Sequence, residues 1–254
     1  MKLNFYHLGS GPNLIILHGL FGSATNFRSL AKIYGAYFTV YCLDLRNHGA
    51  SPHDNDVSID AMAADIIEFM DDQGLENTAL MGHSLGGKVA MQVAFTYPER
   101  ITSLIAGDIA PVVYPRHHDR IFEGMKAVSR ATVSSRKEAE QILTEFIESS
   151  EVRLFLLTNL TRAQDNALRW RINVDGLEAG YQALADKPGG TPYNGPSLFI
   201  RGALSDYVKE AYFPEIYRLF PKAEIITLEG AGHWLHAEKP EEYAKNTLNF
   251  LQRV

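Results

Sequence analysis

Short apolar runs alternate along the chain with segments whose apolar positions recur every three or four residues. The runs at 13–17, 38–43, 78–81, 103–106, 197–200 and 224–228 have the length and composition of buried strands. Between them, 58–72 predicts a helix. Ser58 is placed to cap it, Ile59, Met62, Ile66 and Met70 form its apolar stripe, and Gly74 is placed to stop it. Further helices are predicted over 85–96, ending before Pro98, and over 241–252. Strands alternating with helices are the mark of an α/β fold with a mostly parallel central sheet flanked by helices. From 111 to 190 the rhythm changes. The segments 118–131, 136–149, 151–159, 162–171 and 175–186 all predict helices. The expected organisation is therefore a core of 1–110 and 191–254 with an inserted helical cap at 111–190. Such a cap belongs on the edge where parallel strands end and where open sheets bind ligands. Its apolar side chains, among them Phe122, Met125, Phe155, Leu156 and Trp170, are expected mostly to pack the cap, with some lining a pocket.

Composition adds limits. The 254 residues are 46% hydrophobic and 21% charged, which suits a globular chain able to bury its own core. A net charge of −6 argues against nucleic acid as a partner. The single cysteine, Cys42, excludes an intrachain disulfide and sits in an apolar run as a small core residue. The first residues lack the apolar stretch of a signal peptide, and no run approaches the length of a membrane span, so a cytoplasmic location is expected.

The candidate chemistry lies at Gly82-His83-Ser84-Leu85-Gly86-Gly87, a G-x-S-x-G elbow with a strand directly before it and a helix after it. A serine on so sharp a turn needs glycine two positions to either side. The helix from Leu85 aims its N-terminal amides at the same place. A second loop, Leu17-His18-Gly19-Leu20-Phe21-Gly22, ends the first strong strand. An acyl-transfer oxyanion needs two backbone N–H donors, expected from Leu85 and Leu20, with Phe21 the alternative. His18 is expected to hold this loop rather than react.

A serine hydroxyl needs a base. His233, in Gly230-Ala231-Gly232-His233-Trp234 after the last strand, is in place for it. The chain order nucleophile, acid, histidine then asks for a carboxylate between them. Asp206 and Asp108 both follow strands, and spacing does not choose between them. The adjacent His117, His118 and Asp119 lack metal-ligand spacing and are expected in solvent. His83 is expected to shape the pocket, and His7, His48 and His53 have no evident catalytic partner. No cofactor and no metal is called for.

The stretches His18 to Ser23, Asp44 to His53, Gly82 to Gly87, Asp108-Ile109-Ala110-Pro111, Trp170 to Asn173 and Gly230 to Trp234 together resemble the YbfF-like esterases of the α/β-hydrolase superfamily. The resemblance covers the whole chain, with the cap fitting least tightly. It implies the α/β-hydrolase fold and hydrolysis of carboxylic esters, with acyl-CoA thioesters as further substrates, through an acyl-enzyme without a cofactor. It also implies that Asp108 is the acid, since the equivalent of Asp206 need not be acidic in such relatives. Other readings on the same frame are a ligand receptor with little turnover, a lactonase, a C–C bond hydrolase or a perhydrolase. Serine at the elbow disfavours dehalogenases and epoxide hydrolases, which carry aspartate there.

Overall fold

The structure, a computed structural model, describes residues 1–163 and 166–254. The strands are β1 (Phe5–Leu8), β2 (Asn13–Leu17), β3 (Thr39–Leu43), β4 (Thr78–His83), β5 (Ile101–Gly107), β6 (Leu160–Arg162), β7 (Leu168–Trp170), β8 (Ser197–Gly202) and β9 (Ala223–Leu228). The helices are α1 (Arg28–Tyr34), α2 (Ile59–Asp72), α3 (Leu85–Thr96), α4 (Asp119–Ala131), α5 (Arg136–Leu143), α6 (Ser150–Leu157), α7 (Val174–Ala179), α8 (Tyr181–Ala185), α9 (Phe213–Leu219), α10 (Leu235–Glu238) and α11 (Pro240–Leu251). Seven strands form one sheet in the order β1-β3-β2-β4-β5-β8-β9. Only the edge pair β1–β3 is antiparallel; the rest run parallel.

Alternation along each central strand feeds two separate cores. In β2, Ile15 and Leu17 join the core that α2 and α3 cover, while Leu14 and Ile16 join the one under α1 and α11. Helix α2 shows how local signals act. Ser58 Oγ accepts from Ala61 N–H at 3.2 Å, Met62, Ile66 and Met70 are buried, and Gly74 ends the helix at φ 66°.

Residues 111–190 depart from the expected all-helical reading. They hold α4 to α8, but the helix expected over 162–171 is instead a two-stranded hairpin of β6 and β7; residues 164 and 165 lie outside the described residues. The alternation of buried Leu168, exposed Arg169 and half-buried Trp170 matches a strand, and so short a window carries both periods. The expected 136–149 helix ends at Leu143, and 175–186 is two short helices meeting at Gly180. Among the described residues, no helix is long and apolar enough to cross a membrane.

Candidate active site

Strands β4, β5 and β8 run side by side, and their register sets His83 opposite Gly107, and Gly107 opposite Ile200. The chain beyond each end therefore emerges at one edge. Ser84 follows β4 at φ 52°, and Asp108 follows β5 at φ 49°. Both are non-glycine residues held in the left-handed region, where strain of about 1–3 kcal/mol is kept only if the surroundings enforce it. The Ser84 amide donates to Gly107 O at 2.9 Å and the Asp108 amide to Ile200 O at 2.7 Å, which fixes each turn to the neighbouring strand. A Cβ on Gly82 would stand 2.1 Å from Gly86 O, and one on Gly86 would stand 2.4 Å from Leu17 O. The elbow thus closes only with glycine at both positions.

His233 comes from the loop after β9. Its Nε2 faces Ser84 Oγ at 3.1 Å, and its Nδ1 faces Asp108 Oδ2 at 2.7 Å. A carboxylate at Nδ1 fixes the proton there and leaves Nε2 to accept from the serine. Asp108 is fully buried and accepts from further donors: Gly202 N–H at 3.0 Å on Oδ1, and the Ser205 hydroxyl beside His233 on Oδ2. Asp206 stands apart, almost wholly exposed and paired with Lys209 at 3.4 Å. Of the two candidate carboxylates, only Asp108 reaches His233.

The backbone donors can also be compared. The Phe21 amide, in a residue at φ 61°, already donates to His48 Nε2 at 3.3 Å. Among the described residues no protein acceptor takes the amides of Leu20 or Leu85. Four buried histidines hold this floor without entering the Ser84–His233–Asp108 chain. His18 donates from Nδ1 to Gly19 O at 2.8 Å and accepts from Leu45 N–H at 3.0 Å, which holds the loop as expected. His48 donates from Nδ1 to Arg46 O at 2.9 Å and so presents Nε2 to Phe21. His83 Nε2–H donates to His233 O at 2.8 Å, fixing the backbone of the residue that faces Ser84. His236 stacks on Phe27 with centroids 4.5 Å apart. Burial depresses all four: His48 and His236 fall to about 3, His83 falls well below the ordinary imidazole value, and His18 falls as well. They are neutral frame members. His83 lines the cavity, as expected from the sequence; sequence reasoning missed its bond to His233 O, 150 residues away, and the role of His48, whose partner Phe21 N–H lies 27 residues away.

The cluster at 117–119 is not simply solvated. His117 Nε2 meets the Tyr207 hydroxyl at 2.5 Å, and Tyr207 stacks on the His233 ring at 3.9 Å and 16°. His118 is half-buried, meets the Tyr181 hydroxyl at 2.5 Å, and is pushed down to about 3 by burial. Ile121, Val152, Phe155 and Leu156 line a cavity of about 200 Å³ that opens on Ser84 and His233. Phe122 and Met125 are buried in packing instead, and Trp170 bonds Met125 O through its indole N–H at 2.8 Å.

The profile of the alpha/beta hydrolase family matches residues 14–246. The chain is 40% identical to the sn-1-specific diacylglycerol lipase ABHD11 of Mus musculus, over 94% of this chain and 81% of that protein. It is 36% identical to the esterase YbfF of Escherichia coli, over 94% of this chain and 92% of that one. Among solved structures it is similar to a marine microorganism esterase, with a TM-score of 0.96, 41% identity and coverage of 98% and 99% of the two chains.

Proposed function

The chain belongs to the alpha/beta hydrolase family and is a carboxylic ester hydrolase; on that premise we propose that it works through an acyl-enzyme on Ser84, with His233 as base and Asp108 as the orienting acid. The observation that carries this reading is the unbroken chain from Ser84 Oγ through His233 to Asp108, at 3.1 and 2.7 Å, in the floor of a cavity. His233 Nε2 takes the serine proton as Oγ attacks the acyl carbon. The developing oxyanion is met by the amides of Leu20 and Leu85; the engaged Phe21 amide makes it the weaker candidate. Asp108 stabilises the imidazolium. The C–O bond to the alcohol then breaks, and the alcohol leaves with the proton from Nε2. Water, deprotonated by the same nitrogen, releases the acid and restores Ser84. A thioester of coenzyme A is open to the same attack, with the thiol as leaving group.

We take 111–190 as a cap over the core of 1–110 and 191–254, with α4 and α6 closing the cavity above Ser84. The substrate is a small-molecule ester, and a cytoplasmic location suits the reading. The test is Ser84→Ala. Hydrolysis of p-nitrophenyl esters should fall at least about 10⁴-fold while the circular-dichroism melt is kept. A folded variant that retained a tenth of the activity would overturn the assignment. Ester binding by the wild type without turnover would favour a receptor instead.

A further inference from the structure

An ester carbon attacked by Ser84 carries two organic arms, and two separate cavities meet at that serine. The larger, about 200 Å³, has Ser84 at its floor with His233, Trp234, Phe27, Val152 and Phe155 around it. The smaller, about 40 Å³, runs from Ser84 along α3 between Leu85, Lys88, Ile109, Tyr114 and Leu184. His233 borders the larger cavity, while the smaller one is walled by Leu85 and the helix behind it.

That asymmetry tells the arms apart. The alcohol oxygen must receive its proton from His233 Nε2 as the C–O bond breaks, so it departs on the histidine side. The acyl tail is left with the other direction. Resting on the acyl-enzyme reading above, we propose that the small cavity holds the acyl chain and the large one holds the alcohol. The enzyme then cleaves short, uncharged acyl groups from bulky apolar alcohols.

Size and wall chemistry set the class. A water-sized group needs about 10–15 Å³ on this measure, so the small cavity seats about three or four of them. That is acetyl to butyryl. Its cation, Lys88, and the Tyr114 hydroxyl are already engaged. Lys88 Nζ donates to the carbonyls of Leu184, Ala185 and Asp186 at 3.0, 2.8 and 2.7 Å. The Tyr114 hydroxyl donates to Tyr207 O at 2.6 Å and accepts from Ala110 N–H at 2.9 Å. A charged acyl tail would therefore enter a mostly apolar space whose cation is committed elsewhere, at the cost of its hydration. The large cavity has several times the volume, and Phe27, Val152, Phe155 and Leu156 give it apolar walls.

The experiment grades both arms separately in the wild-type chain. With p-nitrophenyl acetate, butyrate and octanoate, kcat/KM is expected to fall at least about 100-fold from butyrate to octanoate. With ethyl, hexyl and 2-naphthyl acetates it is expected to hold or rise as the alcohol grows. Leu184→Ala, checked for folding by its melt, should raise the octanoate-to-butyrate ratio at least tenfold. Octanoate cleaved within threefold of butyrate, or hexyl acetate cleaved tenfold slower than ethyl acetate, would overturn the assignment of the arms and leave Ser84 chemistry standing. No turnover of any ester would instead remove the acyl-enzyme reading, and the assignment with it.

Discussion

The floor and the roof of the site are held by different means. The floor is fixed mainly by backbone: strand register, strained turns at Ser84 and Asp108, and glycines that admit no Cβ. Its histidines are bonded largely to main-chain groups. The proposed roof, 111–190, is tied down largely by side chains that cross to it. Lys88 of α3 donates to the last carbonyls of α8, Asn159 Nδ2 donates to Phe21 O at 2.7 Å, and His117 meets Tyr207. Backbone ties place atoms for chemistry and tolerate little change. Side-chain ties can be replaced one at a time, so the pocket can change shape without disturbing the reacting atoms.

The largest expected effect tests the floor. Asp108→Asn should keep the fold and lower kcat by up to about 10⁴-fold, about 5.5 kcal/mol in the barrier. Asp206→Asn should stay within about twofold, because that carboxylate faces solvent. Equal losses in both variants would break the distinction between a residue locked by the sheet edge and one beside it.

Acid should also act mostly on the floor, which holds four histidines depressed by burial, with His118 above it adding a fifth. His18, His48, His83 and His236 titrate lower in the folded chain than the ordinary 6.5, with His48 and His236 near 3. As pH falls the unfolded chain takes up protons that the folded chain refuses. Stability is therefore full above about pH 6.5 and drains as pH falls toward about 3, by up to about 1.4 kcal/mol per pH unit for each such histidine. Urea melts from pH 7 to 4 measure this slope, and His236→Phe should make it shallower. A slope unchanged by that substitution would show that His236 is not among the groups responsible.

The smallest of these effects concerns the roof. Lys88→Met fills the same space but leaves three carbonyls at the end of α8 without their donor. A loss of about 2 kcal/mol is expected, on the scale of buried polar groups left unpaired. Hydrogen exchange should quicken around 181–190 and stay slow in β4 and β5. Faster exchange throughout the sheet would mean that roof and floor open as one unit.

Legibility in the sequence follows the same division. The elbow could be seen because its constraints are local: a strand, two obligatory glycines and a helix within 78–96. Strands such as β2 and β9 were visible for the same reason, and the fold class followed from their alternation with helices. The choice between Asp108 and Asp206 was not local. Both follow strands, and what separates them is the Gly202 amide and Ser205 hydroxyl that close on Asp108 from 94 and 97 residues away. Spacing alone did not decide, and the family resemblance leaned toward Asp108. The edge strand β1 escaped because its four residues are mostly half-buried and show no clear alternation. Helix α9 escaped because it is a short segment with a proline in its first turn. The hairpin of β6 and β7 was read as a helix because three-residue strands carry too little period to declare themselves.

The two tryptophans of the chain fall one on each side of this division. Trp170 is bonded within the roof, and Trp234 follows His233 in the wall of the large cavity, with Phe155 of α6 5.9 Å from its ring. Intrinsic fluorescence therefore carries two spatially separate reports. Emission from Trp234 in a Trp170→Phe chain follows occupancy of the cavity, and emission from Trp170 in a Trp234→Phe chain follows detachment of the roof. A stopped-flow trace of each would order the two events in time without an attached dye.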